Sequence, residues 1–141
     1  MFRFVRFIAV LALAALAFAP TTGCKDAATL YENVGGANAL TQFNDALGAN
    51  LLANPAVSKF LDAGAVEMVK RGVITQVAKM SSMPQSSDGV DLAAVLKEKN
   101  MDPAGIQGFK ESAEKATKDV ALSPDAAKGI MNMINGVLKS L

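Results

Sequence analysis

Leu40, Phe43, Leu47 and Leu51 recur at spacings of three and four residues, the period that lines side chains along one face of an α-helix. The pattern predicts a helix from Ala37 to Ala53. Asn54-Pro55 stops it, because proline disfavours helical geometry in the residue before it. Gly35-Gly36 separates this helix from a short earlier one, Ala28 to Val34. Val57, Phe60 and Leu61 fall in a short turn, and Asp62 then stands ready to cap a helix from Gly64 to Met80. Its apolar stripe is Val66, Val69, Val73, Val77 and Met80. Residues 81–90 (SSMPQSSDGV) have loop composition, and Asp91 leads into a short segment, Leu92 to Lys99. Asp102-Pro103 and Ser123-Pro124 repeat one device, a capping oxygen followed by proline at the first helical position. They open helices from Pro103 to Ala121 and from Pro124 to Leu141. The last presents Ala127, Ile130, Met131, Ile134, Val137 and Leu138 as a broad face, with Gly129 and Gly136 suited to close helix contact. No run alternates apolar and polar residues as a half-buried strand does, so the fold class is all-α.

The N-terminus departs from this pattern. Arg3 and Arg6, with no acid beside them, precede an unbroken apolar run from Phe7 to Ala19, the arrangement of a secretory signal. Such a run makes about 20 Å of helix against roughly 30 Å of hydrocarbon, too little for a permanent span. Ala17-Phe18-Ala19 has the form of an ordinary cleavage site, but Pro20 after the cut is a poor fit, and a free Cys24 thiol would follow from it. Thr21-Thr22-Gly23-Cys24 resembles instead the lipobox of bacterial lipoproteins, although Thr21 replaces the usual leucine. That resemblance implies lipidation at Cys24, with 1–23 as signal peptide, 24–141 as one helical domain, and an exported protein of the cell envelope or periplasm held at a membrane. Two or three acyl chains suffice for stable anchoring.

Charge narrows the partners. The whole chain carries +1, and loss of Arg3 and Arg6 with the signal turns this to −1. No basic stripe with interleaved aromatics is present, which argues against nucleic acid. The positive mean hydropathy of +0.27 arises largely from the signal. A single cysteine forms no intrachain disulfide.

Three stretches carry a wider likeness. Leu30-Tyr31-Glu32-Asn33-Val34-Gly35-Gly36 opens the domain; Ala53-Asn54-Pro55 ends the next helix; Asp91-Leu92-Ala93-Ala94-Val95-Leu96 is followed by Met101-Asp102-Pro103. Together they resemble the group 1 truncated haemoglobins, most strongly at the Tyr-Glu-x-x-Gly-Gly opening and more weakly beyond Leu61. The resemblance implies a truncated-globin-like fold, two helices over two, and haem and oxygen binding as the ancestral chemistry. It places the family's iron-ligating histidine at Leu96, and its distal Phe-Tyr pair at Leu47 and Gly48. The implied pocket is lined by Phe43, Leu47, Phe60, Val73, Val77, Leu92, Leu96 and Phe109.

Here the chemistry departs from the family. Leucine has no lone pair for iron, and glycine has no hydroxyl for bound oxygen. The chain contains no histidine at all, so no shift of register restores an imidazole. The remaining donors are methionine sulfur, lysine amines, Tyr31 and Cys24; Met68, Met80, Met83, Met101, Met131 and Met133 read more simply as core and gap filling. No metal-ligand spacing and no histidine base marks an enzyme, and Asp88 with Asp91 reads as a solvated helix start. Two readings follow. One is a non-enzymatic binding or interaction module without a metal cofactor, its apolar interior collapsed or open to an apolar small ligand, its partner otherwise an envelope protein. The other is a haem or oxygen binder with a non-histidine axial ligand.

Overall fold

The computed structural model describes residues 29–81, 83 and 89–141. The signal, the lipobox with Cys24, and Asp88 lie outside the described residues. Among the described residues the chain forms seven helices and no strand: α1 (Leu30–Val34), α2 (Gly36–Ala53), α3 (Pro55–Ser58), α4 (Ala63–Met80), α5 (Leu92–Glu98), α6 (Pro103–Asp119) and α7 (Pro124–Leu138). The protein is all-α, as its apolar period predicts.

Local chemistry fixes where these helices begin. The Asp62, Asp91, Asp102 and Ser123 side chains each accept from backbone N–H groups of the first turn that follows. Thr29 adds a full capping box, its hydroxyl accepting from Glu32 N while the Glu32 carboxylate accepts from Thr29 N at 2.9 Å. The Thr-x-x-Glu spacing was visible in the sequence and places the start of α1 at Leu30 rather than Ala28. The expected turn after α2 is a short helix, α3. Asn54 Oδ1 accepts from Ala56 N at 3.0 Å and Pro55 opens the helix, the same device as at Asp102 and Ser123. Gly35, at φ 103°, ends α1 in the left-handed region that favours glycine.

Helix α2 is the hub. It packs against α6 on one side and α4 on the other, while α5 lies on α4, α7 on α6, and α1 bridges α2 and α7. Leu40, Phe43, Leu47 and Leu51 enter one continuous core with Val66, Val69, Val73 and Val77, as the periodicity predicts. Three assignments differ. Met68, Met80 and Met83 are exposed rather than core, while Met133 is buried and Met101 and Met131 are half-buried. In α7 it is Ala126 and Met133, not Ala127, that join Ile130, Ile134, Val137 and Leu138 in the core, a rotation of the buried face toward α1 and α6. Of the two α7 glycines, Gly129 alone meets a neighbour. A Cβ there would stand 2.6 Å from Leu30 Cδ1, whereas at Gly136 it would meet nothing within 4 Å.

Candidate functional site

Leu96 sits on α5, five residues after the Asp91 cap, with 1% of its surface accessible. Phe43 and Leu47 on α2, Val73 and Val77 on α4, and Phe109 on α6 have none, and Leu92 has 1%. A side chain without accessible surface borders no space that a water molecule can enter, from outside or from within. These seven side chains belong to one core cluster. Phe60 is placed differently. It is half-buried at the rim, its ring against the first turn of α6, where a Cβ on Gly105 would stand 2.9 Å from Phe60 Cε2. Lys59 Nζ lies 4.8 Å from the ring centroid, so Phe60 caps the core edge.

Gly48 faces α4. A Cβ there would lie 3.2 Å from both Lys70 Cδ and Val66 Cγ1. The Lys70 stem therefore runs across the glycine, and its ammonium reaches Asp45 at 3.0 Å and Glu67 at 3.1 Å. Hydrogen bonds to Asp45 and then Glu67 hold the Lys70 pKa above its ordinary 10.5. One turn earlier on α2, Asn44 is 2% exposed and donates from Nδ2 to the Lys70 carbonyl at 3.3 Å, while its Oδ1 has no partner. An unpaired buried oxygen costs about 1–3 kcal/mol. The α2–α4 crossing is thus close-packed around a lysine stem and one polar side chain.

Two surface clefts flank the core. The larger, about 410 Å³, lies between the end of α2 and the middle of α6 and is lined by Asn50, Ala53, Asn54, Pro55, Glu111, Ser112 and Lys115. Its polar groups answer one another. Asn54 Nδ2 donates to Gly108 O at 3.1 Å and Ser112 Oγ at 3.4 Å. Asn50 Nδ2 donates to Asp119 Oδ2 at 3.0 Å, while Asn50 Oδ1 accepts from Lys115 Nζ at 3.2 Å. These bonds clamp α2 to α6. The smaller cleft, about 220 Å³, is bounded by Leu96, Lys97, Asn100, Met101, Ile106 and Leu141. Leu96 thus touches the outside only at the edge of a shallow, mixed surface.

Sequence reasoning missed the asparagine clamp and the glycine approaches. Gly72, Gly105 and Gly108 all lie inside helices, where glycine costs about 1 kcal/mol against alanine and therefore asks for a packing reason. The reason is contact. A Cβ on Gly108 would stand 3.0 Å from Val57 Cγ2 and 3.1 Å from Asn54 Nδ2, so α3 rests on this glycine of α6.

Among the described residues no titratable side chain is buried. Among the described residues no group of three His, Cys, Asp or Glu is placed to hold a metal ion, and no helix is long and apolar enough to cross a membrane. Asp91, whose proposed companion Asp88 lies outside the described residues, accepts from Ala93 N and Ala94 N as a helix cap. The Lys59 ammonium, then the Gly105 N–H, hold the Asp102 pKa below its ordinary 3.8. Lys118 does the same for Glu114, and Lys115 followed by Asn50 for Asp119. A carboxylate lowered in the folded state contributes stability above its unfolded pKa, and that contribution is lost as the pH falls through the folded value. Thermal unfolding followed by circular dichroism should therefore show a midpoint that declines below about pH 4. Asp102→Asn, which keeps the cap but removes the charge, should flatten that decline; an unchanged acid limb would show the Lys59 pair to be without weight.

No protein-family model, curated protein or solved structure matches this chain.

Proposed function

We propose that this protein is a lipid-anchored component of the bacterial cell envelope. Its truncated-globin-like domain acts as a non-enzymatic binding or interaction module and no longer takes haem through histidine. One observation carries the second half of the reading: Leu96 stands where the resemblance places the iron ligand, and it is 1% exposed within the hydrophobic core. The residues present do not fit the group, since the leucine at that position has no electron pair to give iron. The helix order supports the likeness, with α2 and α4 as one packed pair, α6 and α7 as the other, and α2 crossing α6. The signal-like residues 1–19 and the lipobox ending in Cys24 support export and anchoring.

A filled interior moves recognition to the outer surface. An envelope protein suits that surface better than an apolar small ligand, because Phe43, Leu47, Val73, Val77 and Phe109, expected to line a pocket, have no accessible surface. Two measurements test the reading. In cells fed an alkyne-tagged fatty acid, the chain becomes labelled and sediments with membranes, and Cys24→Ser removes the label and shifts the protein to the soluble fraction. Hemin added to the purified full chain gives only the broad absorption of unbound haem. A label that survives Cys24→Ser would sink the anchor. A sharp one-to-one Soret band would favour the rival reading, a haem binder with a methionine or lysine ligand.

A further inference from the structure

We infer that the helices of this domain close directly on one another where a planar prosthetic group would have to stand, so the fold is complete without a cofactor and an axial ligand alone does not restore one. The inference rests on the globin-like reading above and goes further: it concerns the space, not the missing ligand.

Three observations converge, two on different pairs of helices and one on the side chains between them. Helix α4 meets the start of α5 through Gly72, where a Cβ would lie 3.0 Å from both the Cα and the Cβ of Leu92. No side chain separates the two backbones there. A flat ring held between two walls needs roughly 7 Å, a van der Waals contact on each side. Helix α2 meets α4 through Gly48, where a Cβ would lie 3.2 Å from Val66 Cγ1 and from the Lys70 stem, whose ammonium is held by Asp45 and Glu67. Between these closures, Leu47, Val73, Val77 and Phe109 have no accessible surface and Leu96 has 1%. Pockets that take a sizeable ligand span about 300–1,000 Å³. The side chains that would line one here fill it themselves.

The closures also explain the glycines. Glycine inside a helix is unfavourable unless another element needs the room, and at Gly72 the neighbour is backbone, which cannot rotate aside as a side chain can. The dense interior that results has the packing of a core that folds on its own side chains.

The Leu96→His variant provides the direct test, using the full chain in mild detergent with hemin as probe and circular dichroism as the check on folding. The expected result is a helical protein with a lower denaturant midpoint and no absorbance change beyond the detergent blank. A sharp one-to-one Soret band from Leu96→His, with none from the unmodified chain, would overturn the inference while leaving the proposed function standing. A band from the unmodified chain would overturn the proposed function itself. Xenon keeps the matter decidable if Leu96→His does not fold. In methyl NMR spectra of the unmodified chain under xenon pressure, the Leu47, Val73, Val77 and Leu96 methyls show no saturable shift; a saturable shift at these methyls would reveal an open void and overturn the closure.

Discussion

Phe109→Ala should lower the free energy of unfolding by about 3–5 kcal/mol, a large part of the roughly 5–15 kcal/mol that stabilises a domain of this size. The ring is among the largest fully buried side chains and has no accessible surface. Its removal forfeits the transfer free energy of the ring and leaves a void that the surrounding helices relax into only partly. Urea unfolding monitored by circular dichroism measures the change, and Phe109→Leu, which keeps more of the volume, should cost less. A loss below about 1 kcal/mol for the alanine variant would mean that the interior collapses freely, which a close-packed core does not do.

Gly72→Val should cost about 1–3 kcal/mol through overpacking, despite valine's better helix propensity. The new side chain would be driven against Leu92, whose Cα already lies 3.0 Å from the position of a single added Cβ, so α4 and α5 must separate. Gly136→Ala is the control. Nothing lies within 4 Å of that Cβ, so the propensity gain stands alone and should stabilise the protein by about 0.5–1 kcal/mol. Equal effects at the two glycines in urea unfolding would show that α4 and α5 are not in the close contact that the interior requires.

Much of the helical framework was legible from short-range signals. Asp62, Asp91, Asp102 and Ser123 are read as caps because the oxygen that satisfies a first-turn N–H belongs to a residue only two or three positions away. Gly35 is read as a helix stop for the same reason. Thr29 with Glu32 obeys these rules equally, and Asn54-Pro55, whose pattern marks the end of α2, caps α3 by the same rule. The α2–α6 clamp was not. Asn50 and Ser112 are 62 positions apart, and nothing near either residue announces that one will accept the other's hydrogen bond.

The candidate site divides along the same line. Its chemistry is a matter of composition: a chain with no histidine offers no imidazole, whatever its fold. Its shape is a matter of packing. Phe43, Leu47, Val73 and Phe109 are apolar whether they line a pocket or fill it, so hydrophobic pattern gives the same answer for both. Phe60 is as apolar as they are, yet lies at the rim, its ring against Gly105 of α6.

The sequence alone determined the all-α class, the helix starts and the lack of an imidazole, because each depends on residue type or on neighbours within a turn. Tertiary structure decided the rest. It exposed Met68 and Met80, turned α7 to bury Ala126 instead of Ala127, and brought Gly72 against Leu92 and Gly48 beneath Lys70. Burial depends on which surface arrives from elsewhere in the chain, and periodicity marks a face as apolar without naming what will cover it.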